Sequence, residues 1–131
     1  MECNLDKIFK QNTGLEKDGV WFELENGVGF LVRRFGGANT ELKKAMVKFY
    51  KPVAKLIDKN LLPDDKEKEI LSKAFIQACM IDWKGVEIDG ELAPYKFETA
   101  VELFKSLPEL METLMEYSQD SENYREDVGN L

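Results

Sequence analysis

The sequence predicts a mainly α-helical domain of the α+β class, an N-terminal β-hairpin followed by a compact four- to five-helix unit. Three observations carry this expectation. Two stretches rich in β-forming residues flank the tight-turn dipeptide Asn26-Gly27. From Leu42 to Tyr117 apolar residues recur mostly at steps of three and four, broken by Gly- and Pro-containing connections. The chain has 131 residues, 44% hydrophobic and 33% charged, which fits one domain able to bury a real core.

Residues 1–19 are polar and Gly-punctuated, with a single apolar patch at Leu5, Ile8 and Phe9, and are expected to form a flexible N-terminal segment. The globular domain is expected over 20–117. Its hairpin covers 20–35, with Val28, Phe30, Val32 and Arg34 on one face and Gly29, Leu31, Arg33 and Phe35 on the other. Neither face is cleanly polar, so the hairpin must pack on helices or on another subunit; two strands alone are marginal. Gly36-Gly37 ends the second strand, and Asn39 or Thr40 can cap the next helix. There Leu42, Ala45, Met46, Phe49, Val53, Leu56 and Ile57 predict a core-facing stripe. Lys44, Lys48, Lys51, Lys55 and Lys59 trace a separate one, and Pro52 predicts a kink or two shorter helices.

After Leu61-Leu62-Pro63, Asp64 and Glu67 have the spacing of a capping box, and a helix is expected to run to about Ile81. Its last turns are apolar nearly all round, which marks the most buried element. Asp82 to Tyr95 reads as an irregular connection with a turn or small hairpin about Asp89-Gly90. A helix with Phe97, Ala100, Val101, Phe104 and Leu107 on one face follows. Ser106 and Glu109 suggest a second capping box with Pro108 in the first turn, opening a final helix that carries Leu110, Met111, Leu114, Met115 and Tyr117. Residues 118–131 are acidic and polar and are expected to form a frayed tail.

Composition limits the chemistry. The chain contains no histidine, the commonest general base and metal ligand, which removes the usual serine, cysteine and zinc mechanisms. No enzymatic activity, catalytic residue, cofactor or metal is expected. Asp82, Glu87, Asp89 and Glu91 lack the calcium-loop spacing, and Gly27, Gly29, Gly36 and Gly37 lack a phosphate-binding fingerprint. Cys3 and Cys79 make a poor disulfide framework, so Cys79 is expected to be a free core thiol. The polar start and the lack of a long apolar run predict neither a secretory leader nor a membrane span, and hence a cytoplasmic protein.

The net charge of −7 disfavours polyanion binding, but it is unevenly spread. Residues 32–60 hold eight basic and two acidic side chains, a net +6, whereas 82–131 hold four basic and thirteen acidic ones, a net −9. Arg33, Arg34 and the lysine stripe, with aromatic neighbours, resemble a small nucleic-acid surface, which the acidic remainder argues against. A nucleic-acid-binding regulator is therefore a minor alternative to a protein binder. Met111 and Met115 are either core or adaptable contact residues. Trp21, Arg33, Arg34, Phe35 and Trp83 are the candidates for partner contact, the two tryptophans because large aromatics outside the strongest helical faces can anchor interfaces.

Two regions of the chain are similar to a known family. Val20-Trp21-Phe22-Glu23-Leu24 with Phe30-Leu31-Val32-Arg33-Arg34-Phe35-Gly36-Gly37-Ala38-Asn39 is the first. Asp82-Trp83-Lys84-Gly85-Val86, Glu91-Leu92-Ala93-Pro94-Tyr95-Lys96-Phe97-Glu98-Thr99-Ala100 and Leu107-Pro108-Glu109-Leu110 form the second. Together they resemble tail assembly chaperones of long-tailed bacteriophages. The resemblance implies a non-catalytic protein that binds the phage tape measure protein and engages the tail tube protein as a further partner; separately, the open edge of the hairpin predicts that the chain can form a homo-oligomer. The resemblance implies action in the host bacterial cytoplasm and absence from the mature virion. It also implies that a longer frameshifted product would diverge within the tail. Another phage morphogenesis component, such as a head–tail connector or tail terminator, is the main alternative.

Overall fold

The computed structural model describes residues 3–10 and 12–125. Val20–Glu23 (β1) and Gly29–Val32 (β2) pair antiparallel with Phe22 opposite Phe30. Asn26 and Gly27 turn the chain with φ of 63° and 77°, the left-handed region that Asn and Gly enter at low cost. The hairpin is not left with two strands. Met80–Lys84 (β3) adds antiparallel to β2, giving the order β1-β2-β3 with Phe30 opposite Trp83.

That third strand corrects the expected helix to Ile81 and the expected irregular connection from Asp82. A short apolar run such as Cys79-Met80-Ile81 satisfies helix and strand patterns equally. The unpaired backbone of β2 decides it, because buried N–H and C=O groups must find partners.

Before the hairpin lie two short helices, Asp6–Phe9 (α1) and Thr13–Asp18 (α2). Asn12 caps α2 by accepting from the Leu15 amide at 3.1 Å. Residues 13–18 were expected to belong to a loose segment; instead Glu16 is fully buried.

Five further helices follow the hairpin, the expected mainly helical α+β arrangement. Glu41–Tyr50 (α3) gives way at Pro52 to a 3₁₀ turn over Lys51–Val53 and then to Ala54–Asp58 (α4), so the kink falls where proline demands it. Asn39, not Thr40, supplies the side-chain cap, its Oδ1 accepting from the Glu41 amide at 3.1 Å. Asp64–Cys79 (α5) is the central helix: α3 and the two last helices, Phe97–Ser106 (α6) and Pro108–Gln119 (α7), all pack on it, and Ala74, Phe75, Ile76, Ala78 and Cys79 are buried. Neither expected capping box forms. Pro63 sits at the α5 N-cap, leaving Asp64, Asp65 and Glu67 to favour the helix dipole from the first turn. Ser106 Oγ donates to the Glu102 carbonyl within its own helix.

Glu87–Ile88 (β4) and Glu91–Leu92 (β5) form the small hairpin about Asp89-Gly90. Helices α6 and α7 complete the core with Ala100, Phe104 and Leu114.

Two expectations about burial fail. Leu56 and Ile57 are each 42% exposed, because α4 is too short to carry the α3 stripe back onto α5. The stretch after Tyr117 is held: Ser118 is fully buried, Ser121–Tyr124 form a 3₁₀ turn, and Tyr124 is buried with its hydroxyl donating to the Val32 carbonyl at 2.9 Å. The remainder of the expected frayed tail, 126–131, lies outside the described residues. No helix of the described residues is long and apolar enough to cross a membrane.

Candidate protein-binding cleft

The chain from Val32 to Asn39 leaves the central strand β2 and becomes the point where distant elements meet. The Arg33 amide donates to the Cys79 carbonyl at 2.7 Å, and the Phe35 amide donates to the Ser118 carbonyl at 2.9 Å. Ser118 Oγ donates to the Arg33 carbonyl at 2.7 Å. Asn39 Nδ2 donates to the carbonyls of Arg34 and Ala78 at 3.0 and 3.1 Å. Arg34 forms an ion pair with the buried Glu16 carboxylate, which also accepts from the Ala38 amide at 3.1 Å. Gly37, at φ +54°, lies so close to that carboxylate that a Cβ would collide with it.

This accounts for most of the candidate contact residues. Arg34 is engaged with Glu16. Phe35 packs against Phe75 with ring centroids 6.1 Å apart. Trp83 is 5% exposed; its indole N–H donates to the Ala93 carbonyl at 2.8 Å, and Tyr95 meets its ring edge-on at 5.0 Å. Of the five only Trp21 is exposed, while Arg33, Arg34 and Phe35 are half-buried. Trp21 is 36% exposed on edge strand β1, with the Lys84 ammonium 4.7 Å from its ring and that ammonium paired with Glu23 at 2.7 Å. Arg33 is partly exposed, its Nε donating to the Lys17 carbonyl at 2.7 Å. The five residues do not form one surface patch.

The same junction encloses Cys79. Burial pushes its thiol up to about 12, against the opposing pull of Ser118, Arg33 and Asn39. The thiolate is the reactive form, so Cys79 is inert in the folded protein. Cys3 is exposed. A thiol-specific disulfide reagent should therefore titrate one of the two thiols rapidly in the native protein and both in denaturant. Rapid reaction of both in the native protein would show that the Val32–Asn39 junction opens readily.

A different surface carries binding chemistry. Helices α5, α6 and α7 leave an open cleft of about 300 Å³ between them. Its apolar lining is Val101 and Phe104 from α6 with Pro108 and Met111 from α7. The opposite wall is the first half of α5, where Asp65, Lys68, Glu69 and Ser72 fall at positions i, i+3, i+4 and i+7. Val101 and Met111 pack partly against the core, and the α5 wall across the cleft offers their remaining surface only polar side chains. Both remain partly exposed, beside Leu107 at 50% exposure. The α6–α7 wall is mainly apolar with Lys105 and Glu112 among its residues, and the α5 wall is polar, a shape that suits an amphipathic helix. Of these residues the sequence singled out only Met111 as an adaptable contact. The polar stripe on α5 was the signal for the rest, legible once α5 is known to face α6 and α7.

A family model described as YdaY prophage protein matches residues 37–129, about seven tenths of the chain. The chain belongs to the YdaY prophage protein family. It is a phage-derived protein, and the matched region contains Asn39 and all three helices that line the cleft. No curated protein and no solved structure matches the chain.

Proposed function

We propose that this member of the YdaY prophage family is a phage tail assembly chaperone, a non-catalytic protein that holds the tape measure protein in the host cytoplasm while the tail tube assembles. The open cleft between α5, α6 and α7 carries the reading. A holding protein must present apolar surface that adapts to its client, and Met111 lies at that surface with an unbranched, easily repacked side chain. A helical client would lay its apolar stripe on Val101, Pro108 and Met111 and its polar flank on the α5 wall. Phage origin and the resemblance of the Val20–Asn39 and Asp82–Leu110 regions to tail assembly chaperones support the same reading. The net charge of −7 favours solubility of a client-loaded complex.

The test is co-expression with the tape measure protein of the same phage. The chaperone should raise the soluble yield of that protein and co-purify with it. Met111→Glu, a change at a partly exposed position, should leave the circular dichroism spectrum intact. It should weaken retention by about 30-fold, the cost of a strong interface contact of about 2 kcal/mol. Unchanged soluble yield with the native protein would sink the proposal. Detection of the chain in purified virions by mass spectrometry would favour a connector or terminator instead.

A further inference from the structure

The chain carries two exposed features of opposite charge. One is a protruding knuckle. Every residue from Ala54 to Leu61 is exposed, including Leu56 and Ile57 at 42% each and Leu61 at 63%. Lys55 and Lys59 flank these apolar groups and continue the lysine stripe of α3. Lys44 has a loose partner in Glu41 at 3.5 Å; among the described residues Lys48, Lys51, Lys55 and Lys59 form no ion pair.

The other feature is the cleft with its acidic border. Glu109, Glu112 and Glu116 follow one another on α7 at steps of three and four, which places them on one exposed face beside Met111. Among the described residues they too form no ion pair. Within one molecule, among the described residues, no ion pair joins the two stripes.

We infer that the cleft is occupied by a second copy of this chain, the α4 knuckle of one molecule entering the α5–α6–α7 cleft of the next with lysine stripe facing glutamate stripe. Charge selects this occupant: Lys48, Lys51, Lys55 and Lys59 on one face and Glu109, Glu112 and Glu116 on the other are opposite in sign, exposed, and without ion-pair partners among the described residues. Like stripes repel, so the contact joins the lysine stripe of one copy to the glutamate stripe of the other, either reciprocally in a two-fold pair or head-to-tail in a ring or open chain. The apolar groups left uncovered on each face, Leu56, Ile57 and Leu61 on one and Val101 and Met111 on the other, are then covered together. In taking the cleft as a binding surface this rests on the proposed function, and a tape measure helix would compete with the second copy for it.

The test is the mass of the full chain in solution, measured by sedimentation velocity over a concentration series without client. At about 0.01 M salt, where charges act over about 30 Å, dimers and larger species should form; at about 1 M, where the range is about 3 Å, the apparent Kd should rise at least about tenfold. The double variants Lys48→Glu with Lys55→Glu, and Glu112→Lys with Glu116→Lys, should each be monomeric with unchanged circular dichroism. An equimolar mixture of the two should associate again, since each then offers the other a complementary face; a misfolded variant could not restore it. A monomer at every salt and concentration overturns the inference. So does a mixture that stays monomeric, association that vanishes on nuclease treatment, or association that survives both variants. Failure here leaves the soluble yield of a co-expressed tape measure protein unaffected, so the two readings fall separately.

Discussion

Replacing Glu16 with alanine is expected to destabilise the domain by about 3–5 kcal/mol, the usual cost of removing one partner of a buried ion pair. The Glu16 side chain is fully buried, and that of Arg34 is 15% exposed. Alanine would leave the guanidinium without its counter-charge and the Ala38 amide without its acceptor. It would also loosen α2 from the loop that links β2 to α3, leaving only the bonds to the Glu16 and Lys17 carbonyls. Arg34→Glu, which sets two carboxylates against each other, should be at least as damaging. Replacing both partners with apolar residues of similar size should cost less than either single change, because no uncompensated charge is then buried. Alanine at the exposed Asp18 is the control and should shift stability by no more than about 0.5 kcal/mol. Urea denaturation followed by circular dichroism measures all four. If Glu16→Ala behaves like the Asp18 control, α2 is a detachable appendage.

The second large effect is expected at Tyr124, which is 1% exposed and closes over the exit of β2. Its ring lies 6.3 Å from that of Tyr117, which in turn lies 4.4 Å from Phe22, so the segment after α7 bonds to the hairpin through an aromatic chain. Tyr124→Ala should cost about 3–5 kcal/mol, as for other buried aromatics cut to alanine. Tyr124→Phe keeps the ring and removes only the hydrogen bond to the Val32 carbonyl, so about 0.5–1.5 kcal/mol is expected. A chain ended after Gln119 should match Tyr124→Ala. Thermal unfolding of the three variants orders them. A truncated chain as stable as the native one would mean that the hairpin holds without this strap.

These two sites also mark where sequence reading stops. Glu16 sits in a polar, glycine-containing stretch and Tyr124 in an acidic one, so local composition assigns both to loose ends. Each is buried by a partner far along the chain, Arg34 for Glu16 and Val32 for Tyr124, and a window of a few residues carries no trace of such a pairing. The same holds for the candidate contact residues. Trp83 and Arg34 belong to types that often anchor interfaces, and type alone does not reveal that Ala93 and Glu16 already engage them. The cleft was half legible: Met111 and the polar stripe on α5 are sequence features, but only packing places them face to face.

The sequence by itself determined the elements whose signals are local. Asn26-Gly27 set the hairpin turn through its left-handed backbone, Pro52 broke the lysine-rich helix, and the spacing from Ile70 to Ala78 set the core face of α5. Those are consequences of backbone sterics and of a 3.6-residue period, which act within a few residues. The tertiary structure decided which apolar run became β3, which charged residues were buried, and which apolar residues stayed on the surface at Leu56, Ile57 and Leu61. Those outcomes depend on satisfying backbone groups and covering apolar area across the whole chain, and that sum is taken only when distant segments meet.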